Sequence, residues 1–207
     1  SKLCPVCNWR RAMKNSYQAQ KVIEKVIKEK PKARWLFLTL STKNAIDGDT
    51  LEQSLKHLTK AFDRLSRYKK VKQNLVGFMR STEVTVNKND GSYTQHMHVL
   101  LCVENAYFRK KENYITQEEW VNLWQRALQV DYRPVANVKA IKPNRKGDKD
   151  LESAIKETSK YSVKSSDFLT DDDEKNQEIV SDLEKGLYRK RMLSYGGLLK
   201  QKHKILT

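Results

Sequence analysis

Two histidines, His96 and His98, stand two residues apart in the apolar run Thr94-Gln95-His96-Met97-His98-Val99-Leu100-Leu101. On an extended strand, residues i and i+2 project from one face. The run therefore offers two imidazoles to one metal ion, while Met97, Val99, Leu101 and Val103 fall on the opposite face. That opposite face is expected to pack beneath helices and the histidine face to stay open to a substrate. Val76 to Val86 is a second strand-like run, separated from the first by Lys88-Asn89-Asp90-Gly91. Asn, Asp and Gly accept the positive φ of hairpin turns, which predicts an antiparallel pair. A two- or four-residue loop then sets Glu83 across from His96 or His98, whereas a three-residue loop turns it to the other face.

Two imidazoles and a carboxylate around a divalent ion leave coordination positions for substrate oxygens. A second group that could do chemistry lies on the helix predicted for Leu151 to Val163, where Leu151, Ala154, Ile155, Thr158 and Ser162 form the packing stripe. Glu157, Tyr161 and Lys164 follow at i, i+4 and i+7 as a neighbouring stripe. A metal ion alone would serve a hydrolase equally well, but a metal ion with a tyrosine points to phosphoryl transfer. Plainer readings stand beside these: satisfied core histidines, an amphipathic tyrosine with its hydroxyl in water, and a solvated helix carboxylate at Glu157.

The wider chain must position these groups and bring them a substrate. Its 207 residues suffice for one well-cored domain. Lys and Arg number 41 against 25 Asp and Glu, a formal charge of +16. Such an imbalance points to a polyanion. Nucleic acid fits better than an anionic membrane, since no basic amphipathic helix rich in Trp, Phe and Leu stands out; the competing reading is a surface tuned for solubility. No run approaches the roughly 18 apolar residues of a membrane span, and no signal-peptide pattern opens the chain, so a cytosolic protein is expected. No GxxxxGK[ST] or GxGxxG cradle for a nucleotide is present.

Three cysteines, Cys4, Cys7 and Cys102, make no disulfide framework. Cys4-Pro5-Val6-Cys7 has the spacing of half a structural zinc site, which needs four ligands. Further ligands preceding Ser1, completion by His57 or His203, or no metal at all are the alternatives.

In chain order, Trp9 to Lys30 reads as a solvent-facing basic helix stopped by Pro31, and Ala33 to Ser41 as a buried strand. Leu51 to Leu65 repeats apolar residues at Leu51, Leu55, Leu58, Phe62 and Leu65, a helical period. Thr116 to Val130 opens on a capping-box pattern and carries Trp120, Leu123, Trp124, Ala127 and Leu128 as a core stripe. Val135 to Ile141 alternates as a strand, and Pro143 to Asp150 is a polar loop. After the charged run at Asp171, a helix is expected from Ile179 to Leu193, ending at Gly196-Gly197. This order predicts an α+β domain with helices packed on one mainly antiparallel sheet.

The chain resembles the rolling-circle plasmid replication initiators of Gram-positive bacteria, within the HUH endonuclease superfamily. Phe37-Leu38-Thr39-Leu40-Ser41 is similar to the family's first motif. Arg80 to Thr85 running into His96 to Leu101 is similar to its metal motif, and Glu157 through Lys164 to its nucleophile motif. The likeness extends to Leu3 through Arg11 and to Leu193 through Leu198, nearly the whole chain.

The resemblance implies that His96, His98 and Glu83 hold Mg2+ or Mn2+ against a scissile phosphate and that Tyr161 is the nucleophile. It implies that Glu157 activates water for the terminating cleavage, with Lys164 placed to stabilise the tyrosinate or bind a phosphate oxygen. Residues 1–30 would be a basic segment with the half zinc site, and 31–207 the HUH nicking domain with a C-terminal helical region. The implied partner is plasmid double-strand origin DNA, as a single-stranded or hairpin nick site. Host helicase, polymerase and single-strand-binding protein would follow in the bacterial cytoplasm. Trp9, Trp35 and Tyr93 are candidates for stacking on bases, with core packing the competing fate. The family's start usually carries more cysteines, which leaves Zn2+ at Cys4 and Cys7 in doubt, and Ser41 stands where related chains often have Thr. Competing functions are a non-catalytic DNA- or RNA-binding protein with a metal-stabilised scaffold, and an HUH relaxase or transposase.

Overall fold

A computed structural model describes residues 2–142, 149–160, 162–164 and 168–207. Five strands form one antiparallel sheet in the order β4-β1-β3-β2-β5. They are β1 (Arg34–Ser41), β2 (Leu75–Val86), β3 (Tyr93–Val103), β4 (Ala136–Ile141) and β5 (Leu193–Gly196). With the helices packed against it, this is the expected α+β architecture. The hairpin register pairs Glu83 with His96 and Val86 with Tyr93. The turn is a four-residue loop, Lys88 to Gly91, closed by the Asn87 N–H donating to the Ser92 carbonyl at 2.8 Å, with Gly91 at φ +72°.

One face of the sheet is covered by α2 (Gly48–Arg67) and α5 (Gln117–Leu128), with the short α3 (Lys69–Lys72) and α4 (Ala106–Arg109) at its margin. Leu58, Phe62, Leu65, Trp120 and Trp124 pack there on Met97, Val99, Leu101 and Val103. The expected stripes of both helices are buried, apart from a partly buried Leu123. Both starts are capped as their sequences require: Asp47 and Thr50 form a reciprocal capping box, and the Thr116 hydroxyl accepts from the Glu119 N–H at 3.1 Å.

The other face carries α1 (Pro5–Glu29), α6 (Asp150–Thr158) and α8 (Gly197–Leu206). Here the structure corrects two expectations. The helix read as solvent-facing buries Ala19, Val22, Ile23 and Val26, which join Leu151, Ala154, Ile155, Leu100 and Cys102 in a second core cluster. The histidine face of β3 is therefore open only at the end that carries His96 and His98.

Two helix boundaries also differ. Helix α6 stops at Thr158 because the Thr158 and Ser159 hydroxyls donate back to the Ala154 and Ile155 carbonyls, both at 2.7 Å. The chain then turns so that the Ser162 carbonyl accepts from the Val84 N–H at 2.8 Å and Val163 enters a third cluster with Phe168 and Leu183. Helix α7 (Asp173–Leu187) begins earlier and ends earlier than its pattern suggested. The segment expected to prolong it, Leu193 to Gly196, pairs instead with β2 as an edge strand. Gly197 makes this docking possible: a Cβ there would lie 2.4 Å from the Val76 carbonyl oxygen, and its φ is +58°. None of the described helices is long and apolar enough to cross a membrane.

Candidate metal centre

The hairpin register and the open end of the polar face together build the site. Glu83 on β2 lies across from His96, and its carboxylate reaches diagonally to His98, whose Nε2–H donates to Oε2 at 2.8 Å. Thr39, paired with His98 from the β1 side, places Oγ1 3.5 Å from Nδ1, and the Phe37 ring stacks on the imidazole at a centroid distance of 5.8 Å. The first-motif residues thus fix the ring of His98 from the side opposite Glu83.

The last turn of α6 lowers Glu157 onto this pair. Ligand atoms of Glu83, His98 and Glu157 all lie within 4.8 Å of one another, the one such cluster of three or more among the described residues. One imidazole nitrogen and two carboxylates are a hard, oxygen-rich donor set of the kind that suits Mg2+ or Mn2+. His96 stands outside that cluster, its ring 6.4 Å from that of His98.

The electrostatics follow from geometry. The hydrogen bond from His98 holds the Glu83 carboxyl below the usual carboxylate range, against the opposing effect of burial. His96 is pushed below the ordinary imidazole value chiefly by burial, with Glu83 acting the other way. Both groups are thus kept in the protonation state in which they can ligate a cation.

Lys160, which the sequence reading did not single out, ion-pairs with Glu157. Its i+3 spacing from Glu157 was the available signal. Lys164 instead lies past the end of α6, off the helical stripe assigned to it. Tyr161 lies outside the described residues, as does most of the expected polar loop after Pro143. The described residues on either side of Tyr161 sit at the site: Lys160 on Glu157, and Ser162 on the backbone next to Glu83. Beside the cluster opens a cavity of about 340 Å³ lined by polar and basic groups that include Lys2, Arg11, Ser81, Ser159, Lys160 and Lys190.

At the chain's start, Cys4 caps α1, its Sγ accepting from the Cys7 N–H at 3.4 Å. Among the described residues no third ligand gathers with the two cysteines. His57 instead bonds the Leu128 carbonyl at 2.5 Å, and His203 stacks on Tyr195 at 4.4 Å. Of the aromatics considered for stacking, Trp35 is buried and Tyr93 is buried with its hydroxyl donating to Asp182 at 2.7 Å. Trp9 alone of the three is exposed.

A family model described as Replication protein matches residues 1–207. A "Protein rep" of Lactiplantibacillus plantarum is 55% identical over 201 residues, covering 97% of this chain and 63% of that protein. A "Replication protein" of Staphylococcus aureus is 55% identical over 195 residues, covering 94% of this chain and 83% of its own length. A "Protein rep" of Streptococcus pneumoniae serotype 2 is 48% identical over 207 residues, covering 100% of this chain and 62% of its own. The chain thus spans less than two thirds of the first and third of these relatives. No solved structure matches.

Proposed function

This chain belongs to the Replication protein family, and we propose that it serves as a plasmid rolling-circle replication initiator that nicks single-stranded origin DNA. The observation that carries this reading is the convergence of Glu83, His98 and Glu157 at one point of the sheet, beside a basic cavity and the two neighbours of Tyr161.

In this reading the Tyr161 phenolate oxygen attacks the scissile phosphorus and the bond to O3′ breaks. The phenol gives up its proton and the leaving oxygen takes one, yielding a 5′-phosphotyrosine and a free 3′-OH. One phosphodiester replaces another, so no ATP is consumed and the free 3′ end can prime synthesis. A Mg2+ or Mn2+ ion held by Glu83 and His98, with His96 drawn in from outside the present cluster, would, when bound, add positive charge at a non-bridging phosphate oxygen. Thr39 and Phe37 keep His98 in orientation, and Lys160 neutralises carboxylate charge that would repel the phosphate. In this reading Glu157 accepts a proton from water for the terminating cleavage, and Lys164, from beyond the end of α6, meets a phosphate oxygen. Residues 31–207 carry this chemistry, with 1–30 a basic segment contributing α1. Double-strand origin DNA is the substrate, and helicase, polymerase and single-strand-binding protein act after the nick in the bacterial cytoplasm.

The test is incubation with an end-labelled single-stranded origin oligonucleotide and Mn2+, followed by a denaturing gel. A covalent protein–DNA band is expected from the parent and none from Tyr161→Phe. An adduct formed by Tyr161→Phe, or none formed by the parent, would overturn the proposal.

A further inference from the structure

The run Arg189-Lys190-Arg191 joins α7 to β5 and rounds the edge of the sheet, where the next residue, Met192, accepts from the Thr82 N–H at 2.8 Å. On the side of the metal centre this run contributes Lys190 to the cavity already described. Against α2 and the outer part of β2, all three basic residues line a second cavity of about 290 Å³. Lys56, Lys60 and Arg80 line it as well, so six cationic side chains surround one space.

Within the protein, Glu52 and Asp63 are the described acidic groups that act on this cluster, through Lys56 and Lys190 and through Arg80. Among the described residues the one ion pair made by these six is Lys56 with Glu52, at 3.2 Å. The Arg80 guanidinium lies 5.5 Å from the Phe62 ring, and its Nε is buried with no hydrogen-bond partner. A buried donor left unpaired is costly, and a charged one more so. An external oxyanion in the cavity would relieve the mutual repulsion of the cations. Burial holds the Lys190 ammonium below its ordinary range, with Lys56 adding to the effect and Glu52 opposing it.

The lining also indicates which part of a polynucleotide would fit. Single strands are gripped largely by stacking of bases on aromatic faces. Apart from its cations, the described residues lining this cavity are Leu55, Thr59, Thr82 and Met192. The nearby exposed ring, Tyr188 at 5.1 Å from the Arg189 guanidinium, lies outside this lining, and cations that line a space without aromatic faces hold backbone phosphates. Because Lys190 and Met192 line both cavities, one DNA molecule rounding the sheet edge would engage the two together.

We propose that this second cavity binds backbone phosphates of the duplex flanking the cleaved strand, so that the Arg189–Arg191 run lies where paired DNA gives way to unpaired DNA. The assignment rests on the nicking reading above.

It is tested with the full chain carrying Lys60→Gln and Arg189→Gln, residues that line this cavity and not the one beside the metal centre. Binding is measured over a range of salt to a hairpin with a duplex stem and to a short single strand bearing the same nick site. For the hairpin, removal of two phosphate contacts should lower the slope of log affinity against log salt by about 1.8 and weaken binding roughly tenfold. Affinity for the short strand and its adduct yield should change less than about twofold, since their contacts lie on the other side. Lys60→Arg with Arg189→Lys should restore the hairpin slope. An unchanged hairpin slope, or equal losses on both DNAs, would overturn the proposal. A parent that binds both DNAs but forms no adduct would overturn the nicking reading alone, and the two slopes would still decide this one.

Discussion

The two faces of β3 come from the same eleven residues and are covered in opposite ways. On one, Met97, Val99, Leu101 and Val103 are each no more than 3% exposed beneath Trp120, Trp124 and the apolar stripe of α2. On the other, Leu100 and Cys102 are equally buried under α1 and α6, but the strand's opening end carries His96 and His98 with Glu83 beside them. The apolar face is a foundation whose buried polar side chain on β3 is Gln95, its amide N–H donating to the Tyr93 carbonyl at 3.1 Å. The polar face places its charged side chains where only one end is roofed, so that they keep solvent access while resting on rigid backbone. Separate roles predict separable damage.

The largest effect should fall on the polar face. Tyr161→Phe should lower adduct formation by more than about 10⁴-fold with unfolding midpoint and DNA affinity little changed, because the nucleophile is lost and no packing is. Comparable stability loss in that variant would collapse the distinction. From the other side, Trp124→Ala should destabilise the fold by about 3–5 kcal/mol in urea denaturation, while folded molecules keep their nicking rate. Trp124 is fully buried and its Nε1–H donates to the Ser41 carbonyl at 2.9 Å, so the cavity and an orphaned carbonyl add together.

Glu157→Ala sharpens the picture within the polar face. If Glu157 serves the terminating hydrolysis, nicking should persist within about threefold while product release by water falls about 10²-fold or more. A marked rise in the Mn2+ concentration needed for nicking would instead make Glu157 a metal ligand. Thr39→Val, which removes the group beside His98 Nδ1, should weaken metal affinity by about tenfold, read by metal titration of nicking.

The smallest effect is on pH dependence. Burial lowers the His96 pKa in the folded state, so below 6.5 the unfolded chain binds the extra proton. Stability from neutral His96 is complete above that value and is lost as pH falls through the lowered folded value. His96→Gln should therefore flatten the acid-side slope of stability measured without divalent metal. An unaltered slope would mean that His96 is as well solvated in the folded chain as in the unfolded one.

Much of this division was legible before any coordinates. Strand alternation separated His96 and His98 from Met97 and Val99, and the Asn-Asp-Gly turn confined Glu83 to the histidine face for any loop of even length. Both are local rules with short reach. What escaped were decisions made by distant parts of the chain. The stripe from Glu157 to Lys164 presumes an unbroken helix, but back-bonding at Thr158 and Ser159, and the pull of the Val84 N–H on Ser162, end α6 earlier and bring Lys160 onto Glu157 instead. Leu193 to Gly196 has an apolar pattern compatible with a helix, and the free edge of β2 made it a strand. The polar-looking N-terminal helix likewise hides a narrow stripe of small and branched residues that only a facing sheet could bury.

The sequence by itself determined which side chains share a strand face and how far apart they stand, because pleat and hairpin geometry depend on neighbours a few bonds away. Tertiary structure alone decided that Glu157 meets Glu83 and His98, that α1 roofs half of the polar face, and that six cations from α2, β2 and the 189–191 run enclose one space. Each of those outcomes depends on packing and hydrogen bonding between segments dozens of residues apart, where no local preference acts.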